Sequence, residues 1–244
     1  MNPINGDLLG LLAVYTYIGL MVVVASKWKL LRKWGIHRKF IHVMIGNIVF
    51  LWWVFESNWV MSLLAAAPFV PILLIFAEEG KKIKEPHNKV ERGIKSSILA
   101  EASGDGHKLG LVYYAISWSI LAFFLFNNLM AAAVGIVAMA YGDGFGGIIG
   151  KKWGKHRIHG KKTMEGTLAV FFFSFLATLV VFAFYGMLAF NGLYPGKFLA
   201  APLALAIAAG VGIYVAVVEL VTPGEYDNLV IPLSTAFILA LAGI

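Results

Sequence analysis

Eight apolar runs separated by loops of very unequal charge constrain this chain more than any single motif. The runs are Leu8–Ala25, Phe40–Phe55, Trp59–Phe76, Leu109–Phe126, Leu129–Tyr141, Leu168–Phe190, Phe198–Val221 and Leu229–Ile244. Most approach the roughly 20 apolar residues that cross a bilayer as a helix. With the N-terminus outside, the inner loops are 27–39, 78–108, 142–167 and 222–228, and they hold 19 of the 20 Lys and Arg residues; only Lys197 is left outside. Cytoplasmic loops are where Lys and Arg accumulate. The pattern therefore predicts an all-α polytopic membrane protein, a single integral membrane domain over 1–244 with about eight transmembrane helices and both termini outside.

Composition agrees. Charged residues make up only 14% of the chain and the mean hydropathy is +0.81, against roughly 25% charged residues in soluble domains. The net charge of +7 reads as inner loops facing lipid headgroups, not as a nucleic-acid surface. The absence of Cys removes disulfides and thiolate chemistry. The first run lacks a basic leading segment and reads as a retained span. Of 13 acidic residues only Asp7 and Glu56 fall outside, and all six His lie at the inner side, so a site would open to the cytoplasm of a multi-pass cell-membrane protein. The chain shows no internal repeat, which disfavours an inverted-repeat transporter.

The richest stretch is Tyr141 to Thr167. Asp143 stands among glycines, and Lys151, Lys152, Lys155, Arg157, Lys161 and Lys162 follow. A carboxylate beside dense cations suits a metal-bound polyphosphate. Gly142-Asp-Gly-Phe-Gly-Gly147 matches G-x-G-x-x-G in form but follows a membrane helix, which excludes a dinucleotide fold, and Lys152 stands where a P-loop needs Ser or Thr. Two plainer readings stand beside the functional one: glycines let membrane helices pack closely, and a basic run anchors to headgroups. Neither explains Asp143, which is costly near hydrocarbon unless paired or metal-bound. Thr163 also suits the N-cap of the next span, with Glu165 in its first turn.

Gly142-Asp143, Gly150-Lys151, Gly154-Lys155-His156, Lys161-Lys162-Thr163 and Glu165-Gly166-Thr167 together resemble the signature of the dolichol kinase, phytol (polyprenol) kinase and CTP-dependent diacylglycerol kinase family. A similar run occurs in phosphatidate cytidylyltransferases. Arg38-Lys39-Phe-Ile-His42 is similar to the Arg-Lys-x-x-His element of the polyprenol and phytol kinases. Asp227-Asn228-Leu-Val-Ile-Pro-Leu233, with Glu219 before it, resembles their Asp-Asn-Leu-x-x-Pro-Leu element. Lys108 to Tyr114 looks like their Gly-x-Leu-x-Tyr element, and 78–108 has no firm counterpart.

The resemblance implies a kinase that moves the γ-phosphoryl group of CTP, or another NTP, to a polyprenol-type alcohol such as dolichol. It implies Mg²⁺ on Asp143 and Asp227, with Asp143, Asp227 and His42 as candidate catalytic groups. Gly144, Lys151, Lys155, Arg157, Lys161, Lys162, Thr163 and Glu165 would bind the nucleotide phosphates, with Arg38, Lys39, Glu219 and Asn228 in support. His42 lies four residues after Arg38, hence on the same helix face. Three distant carboxylates, Asp143, Glu219 and Asp227, are expected to share the magnesium and the substrate hydroxyl. The rival readings are a cytidylyltransferase that makes a CDP-lipid and, in another class, a transporter.

Overall fold

The computed structural model describes residues 3–82 and 109–244. Helices α1 (Pro3–Lys27), α2 (Lys29–Lys33), α3 (His37–Gly46) and α4 (Phe69–Lys82) form the first half, and a 3-10 segment (Asn47–Val54) and a π-helical segment (Val60–Ala66) lie between α3 and α4. The second half contains α5 (Gly110–Phe124), α6 (Leu129–Trp153), α7 (Met164–Phe190), α8 (Ala201–Val221) and α9 (Asp227–Leu241). Two short strands, β1 (Arg157–His159) and β2 (Lys162–Thr163), pair antiparallel between α6 and α7. Most of the inner loop expected at 78–108 lies outside the described residues.

The expectation of an all-α membrane protein holds at the level of architecture. Four helical stretches are long and apolar enough to cross a membrane: Asn5–Lys27, Phe126–Trp153, Met164–Phe190 and Ala201–Val221. Val60–Phe76, Gly110–Phe124 and Asp227–Leu241 are shorter apolar helices. The run expected to be one span over 40–55 is broken at Gly46, where α3 gives way to the 3-10 segment.

Helix α6 is the axis of the bundle. Leu129 to Ala140 is buried without interruption, and α7, α9 and α3 pack against it most extensively. It begins at Asn128, whose side chain accepts from Ala131 N at 3.2 Å, a standard N-cap bond. Contrary to the expected end near Tyr141, the helix continues to Trp153. The glycines of its C-terminal half let neighbours come close: a Cβ on Gly142 would stand 2.3 Å from Ser174 Oγ, one on Gly144 2.3 Å from Val43 Cγ2, and one on Gly146 2.3 Å from Val170 Cγ2. Close helix packing is the usual role of small residues in membrane bundles. The segment 142–153 is thus helix, and the connection to α7 is the β1–β2 hairpin, whose turn uses Gly160 at a φ of +55°, a conformation glycine adopts at least cost.

Prolines open two of the helices, and neighbouring side chains close them. Pro68 has no N–H for the carbonyl of Leu64, which accepts from Tyr15 Oη at 2.5 Å instead. Pro232 lies inside α9 and likewise leaves the carbonyl of Asn228, which accepts from Ser117 Oγ of α5 at 2.9 Å. Such replacement donors are what makes proline tolerable in an apolar environment.

Candidate active site

The polar residues singled out in the sequence meet mostly at one end of the bundle, where α3, α7 and α9 start and α6 and α8 finish. Asp143 projects from α6 one turn beyond the continuously buried stretch. Lys39, from the first turn of α3, donates to both of its oxygens, at 2.8 Å to Oδ1 and 2.7 Å to Oδ2, and to its backbone carbonyl at 3.2 Å. His42 Nε2 lies 3.4 Å from Asp143 Oδ2. The four-residue spacing from Arg38 to His42 puts Arg38, Lys39 and His42 along one cleft with Asp143, Asn228, Gly110 and Leu111. A Cβ on Gly147 would meet Lys39 Cε at 2.8 Å, so a bare α6 surface there gives the lysine its path to the carboxylate.

Glu219, near the end of α8, is paired with Lys162 of β2: Nζ to Oε1 is 2.8 Å, and the same Nζ donates to the Glu219 backbone carbonyl. Asp227 starts α9. Its Oδ1 accepts from Asn228 N at 2.8 Å and from Asn228 Nδ2 at 3.0 Å. The three carboxylates Asp143, Glu219 and Asp227 offer one oxygen each, all within 4.8 Å of one another. Like charges this close repel strongly. The two lysine pairs offset part of that repulsion, and a divalent cation would offset the rest. Three hard oxygen donors are the chemistry that Mg²⁺ takes. Among the described residues, Asn228 Oδ1 is a further buried oxygen with no hydrogen-bond partner.

A second cavity adjoins the cluster at Glu219. Gly146, Gly147 and Gly150 of α6 form its floor, and Lys151, Lys161, Lys162, Thr163 and Glu219 line it. Cations around a glycine floor can hold phosphate oxygens. Thr163 has a structural task as well, since its Oγ1 accepts from Gly166 N at 3.2 Å and caps α7.

The remaining sequence-predicted residues lie elsewhere. Gly144 is buried against Val43 and lines neither cavity. Glu165 braces the hairpin: Oε2 accepts from Lys155 N at 3.1 Å and His156 N at 3.3 Å, and Oε1 is 2.7 Å from His156 Nδ1. Lys155 and Arg157 are exposed on that hairpin and line neither cavity. Three further residues support the site: Ser117 and Glu225, which the sequence reading passed over, and Tyr114, which it named only as the end of an element. Ser117 holds the Asn228 carbonyl, Tyr114 packs on His42 with ring centroids 5.3 Å apart, and Glu225 accepts from Leu109 N.

No family model and no solved structure matches the chain. It is 29% identical over 235 residues to the phytol kinase of Synechocystis sp., covering 91% of this chain and 87% of that protein. The resemblance to the polyprenol and phytol kinase family holds. A probable phytol kinase, chloroplastic, of Zea mays is 26% identical over 213 residues, 84% of this chain and 65% of that protein. Phytol kinase 1, chloroplastic, of Arabidopsis thaliana is 24% identical over 160 residues, 64% of this chain and 51% of that protein. The chain thus spans between half and two thirds of the length of these plant relatives. The likeness to the Synechocystis protein extends over most of both chains.

Proposed function

We propose that the chain is a membrane prenyl-alcohol kinase that transfers the γ-phosphoryl group of CTP, or another NTP, to a polyprenol-type alcohol at the cytoplasmic face of the cell membrane. One observation carries this reading: three carboxylates from α6, α8 and α9 converge within 4.8 Å between a cationic, glycine-floored cavity and a cleft holding His42. The phytol kinase relatives support a prenyl alcohol as acceptor and shift the expected substrate from dolichol towards phytol-like chains. About eight spans with both termini outside fit the 19 basic residues on the inner loops and the gathering of Lys39, Lys151, Lys161 and Lys162 at one end of the bundle.

Phosphoryl transfer asks mainly for positioning and charge neutralisation. Lys151, Lys161 and Lys162 hold the nucleotide phosphates in the larger cavity. Asp143, Asp227 and Glu219 would hold Mg²⁺, which supplies neutralisation of phosphate charge when bound. The acceptor hydroxyl enters from the cleft of Arg38 and His42. As its oxygen bonds to the γ-phosphorus and the bond to the β-phosphate bridge breaks, its proton passes to a carboxylate (Asp143 or Asp227) or to His42. Asn228 fixes Asp227 through two hydrogen bonds, which pre-orders one of these oxygens.

The test uses purified protein in liposomes with phytol, geranylgeraniol, dolichol or diacylglycerol and CTP labelled at either the α or the γ position. Label from the γ position should enter the lipid extract. Label from the α position in lipid would overturn the kinase reading in favour of cytidylyl transfer. Absence of any labelled lipid together with solute flux would point to a transporter.

A further inference from the structure

An apolar groove runs between α1, α3, α4 and α5. Its walls include Ile18 of α1, Ile45 of α3, Phe69 and Leu73 of α4, and Ala115 and Trp118 of α5. Leu111 lines both this groove and the cleft that contains Asp143 and His42. The two spaces are therefore neighbours across one side chain. Tyr114 stands at the same junction, since its ring lines the groove and packs on His42. Its hydroxyl is buried with no hydrogen-bond partner among the described residues.

A second apolar groove lies between α6 and α7 around Phe145 and Phe173. It shares no lining residue with the Asp143–His42 cleft. Of the two grooves, the first lies beside a polar site that a chain in it could reach with a single hydroxyl.

We propose that the α1–α3–α4–α5 groove binds the isoprenoid tail of the acceptor alcohol, with Leu111 and Tyr114 at the passage to the cleft. This rests on the kinase reading above and adds the location of the tail. The groove wall formed by α1 belongs to a helix whose apolar stretch is only 17% buried, and Ile72 of α4 is 40% exposed at the rim. The tail thus reaches the groove sideways from the bilayer. A few methylenes of apolar contact are enough to set chain-length preference, since one methylene in a pocket changes selectivity by about 10-fold or more.

The experiment narrows the groove and compares long with short acceptors. Ile72→Trp at the rim and Ala115→Phe in the wall should lower kcat/KM for phytol about 10-fold while leaving prenol, which has too short a tail to reach the groove, within about twofold. Ala177→Phe, in the second groove, should leave the ratio unchanged. In parallel, wild-type protein is photolabelled with a phytol analogue carrying a diazirine at the far end of its tail. Label on peptides of α1, α4 or α5 supports the proposal. Phosphorylation of phytol with label confined to Phe173–Val180 overturns the groove and leaves the kinase reading intact. Label on α4 or α5 with no phosphorylation of any alcohol sinks the kinase reading and retains a lipid-tail site. Equal phytol and prenol efficiencies in both groove variants also overturn the proposal.

Discussion

Asp143→Asn separates the electrostatics of the site from its architecture. At an effective dielectric of about 20, Lys39 Nζ at 2.7 Å from Asp143 contributes about 6 kcal/mol of gross attraction. Oxygens of Glu219 and Asp227, within 4.8 Å, repel it by about 3.5 kcal/mol each at that outer limit, or about 7 kcal/mol together. The two sums nearly cancel. The amide keeps the shape of the carboxylate, and Lys39 retains the Asp143 backbone carbonyl at 3.2 Å. Without Mg²⁺, the variant should therefore unfold within about 1 kcal/mol of wild type, a Tm change of about 2–4 °C for a chain of this size. Turnover should fall about 1,000-fold, the scale for losing one electrostatic group at a reacting centre. Added Mg²⁺ should raise the Tm of wild type and raise that of the variant much less, because a ligand stabilises only the state that binds it. Thermal unfolding in detergent, with and without Mg²⁺, beside an assay with γ-labelled CTP reads all three. Wild-type turnover in Asp143→Asn, or a metal-free Tm lowered by more than about 10 °C, would refute the argument.

Two further substitutions test the donor side and the connection that carries it. Lys162→Met removes a cavity cation and leaves Glu219 without its partner, so KM for the nucleotide should rise by about 10-fold or more while short-alcohol KM changes little, as measured by initial rates. Thr163→Ala removes the cap of α7 and should lower stability by about 1 kcal/mol, seen as a drop of a few degrees in the same unfolding experiment.

The sequence made the end-on gathering of the site legible because charge is so rare here. In an apolar chain, Asp143, Glu219 and Asp227 stand out, and their positions near helix ends imply one membrane face. Lys39 was less transparent. It was assigned a supporting part, and only the approach of α3 to the glycine face of α6 reveals that it grips Asp143. The glycines themselves misled the reading of local structure. Gly142, Gly144 and Gly146 fall in the expected inner loop 142–167, yet they allow Ser174, Val43 and Val170 to press against a continuous helix. Glycine spacing in one segment does not disclose what packs on it from another. The break at Gly46–Asn47 was also hidden, since the flanking residues are uniformly apolar. There Tyr141 Oη donates to Asn47 Oδ1 at 2.6 Å and Tyr185 Oη to the Val49 carbonyl at 2.6 Å, tertiary bonds that no local pattern announces.

The exchange at Pro232 has a consequence for how such a chain can change. Ser117 donates to the Asn228 carbonyl that proline leaves open, beside the asparagine that fixes Asp227. With alanine at 232 the backbone itself would supply that donor, and the serine hydroxyl would become dispensable. The two positions, 115 residues apart, are therefore epistatic: loss of Ser117 harms the site while proline is present and is nearly silent once it is gone. The order in which the two substitutions arise decides whether the intermediate sequence is viable.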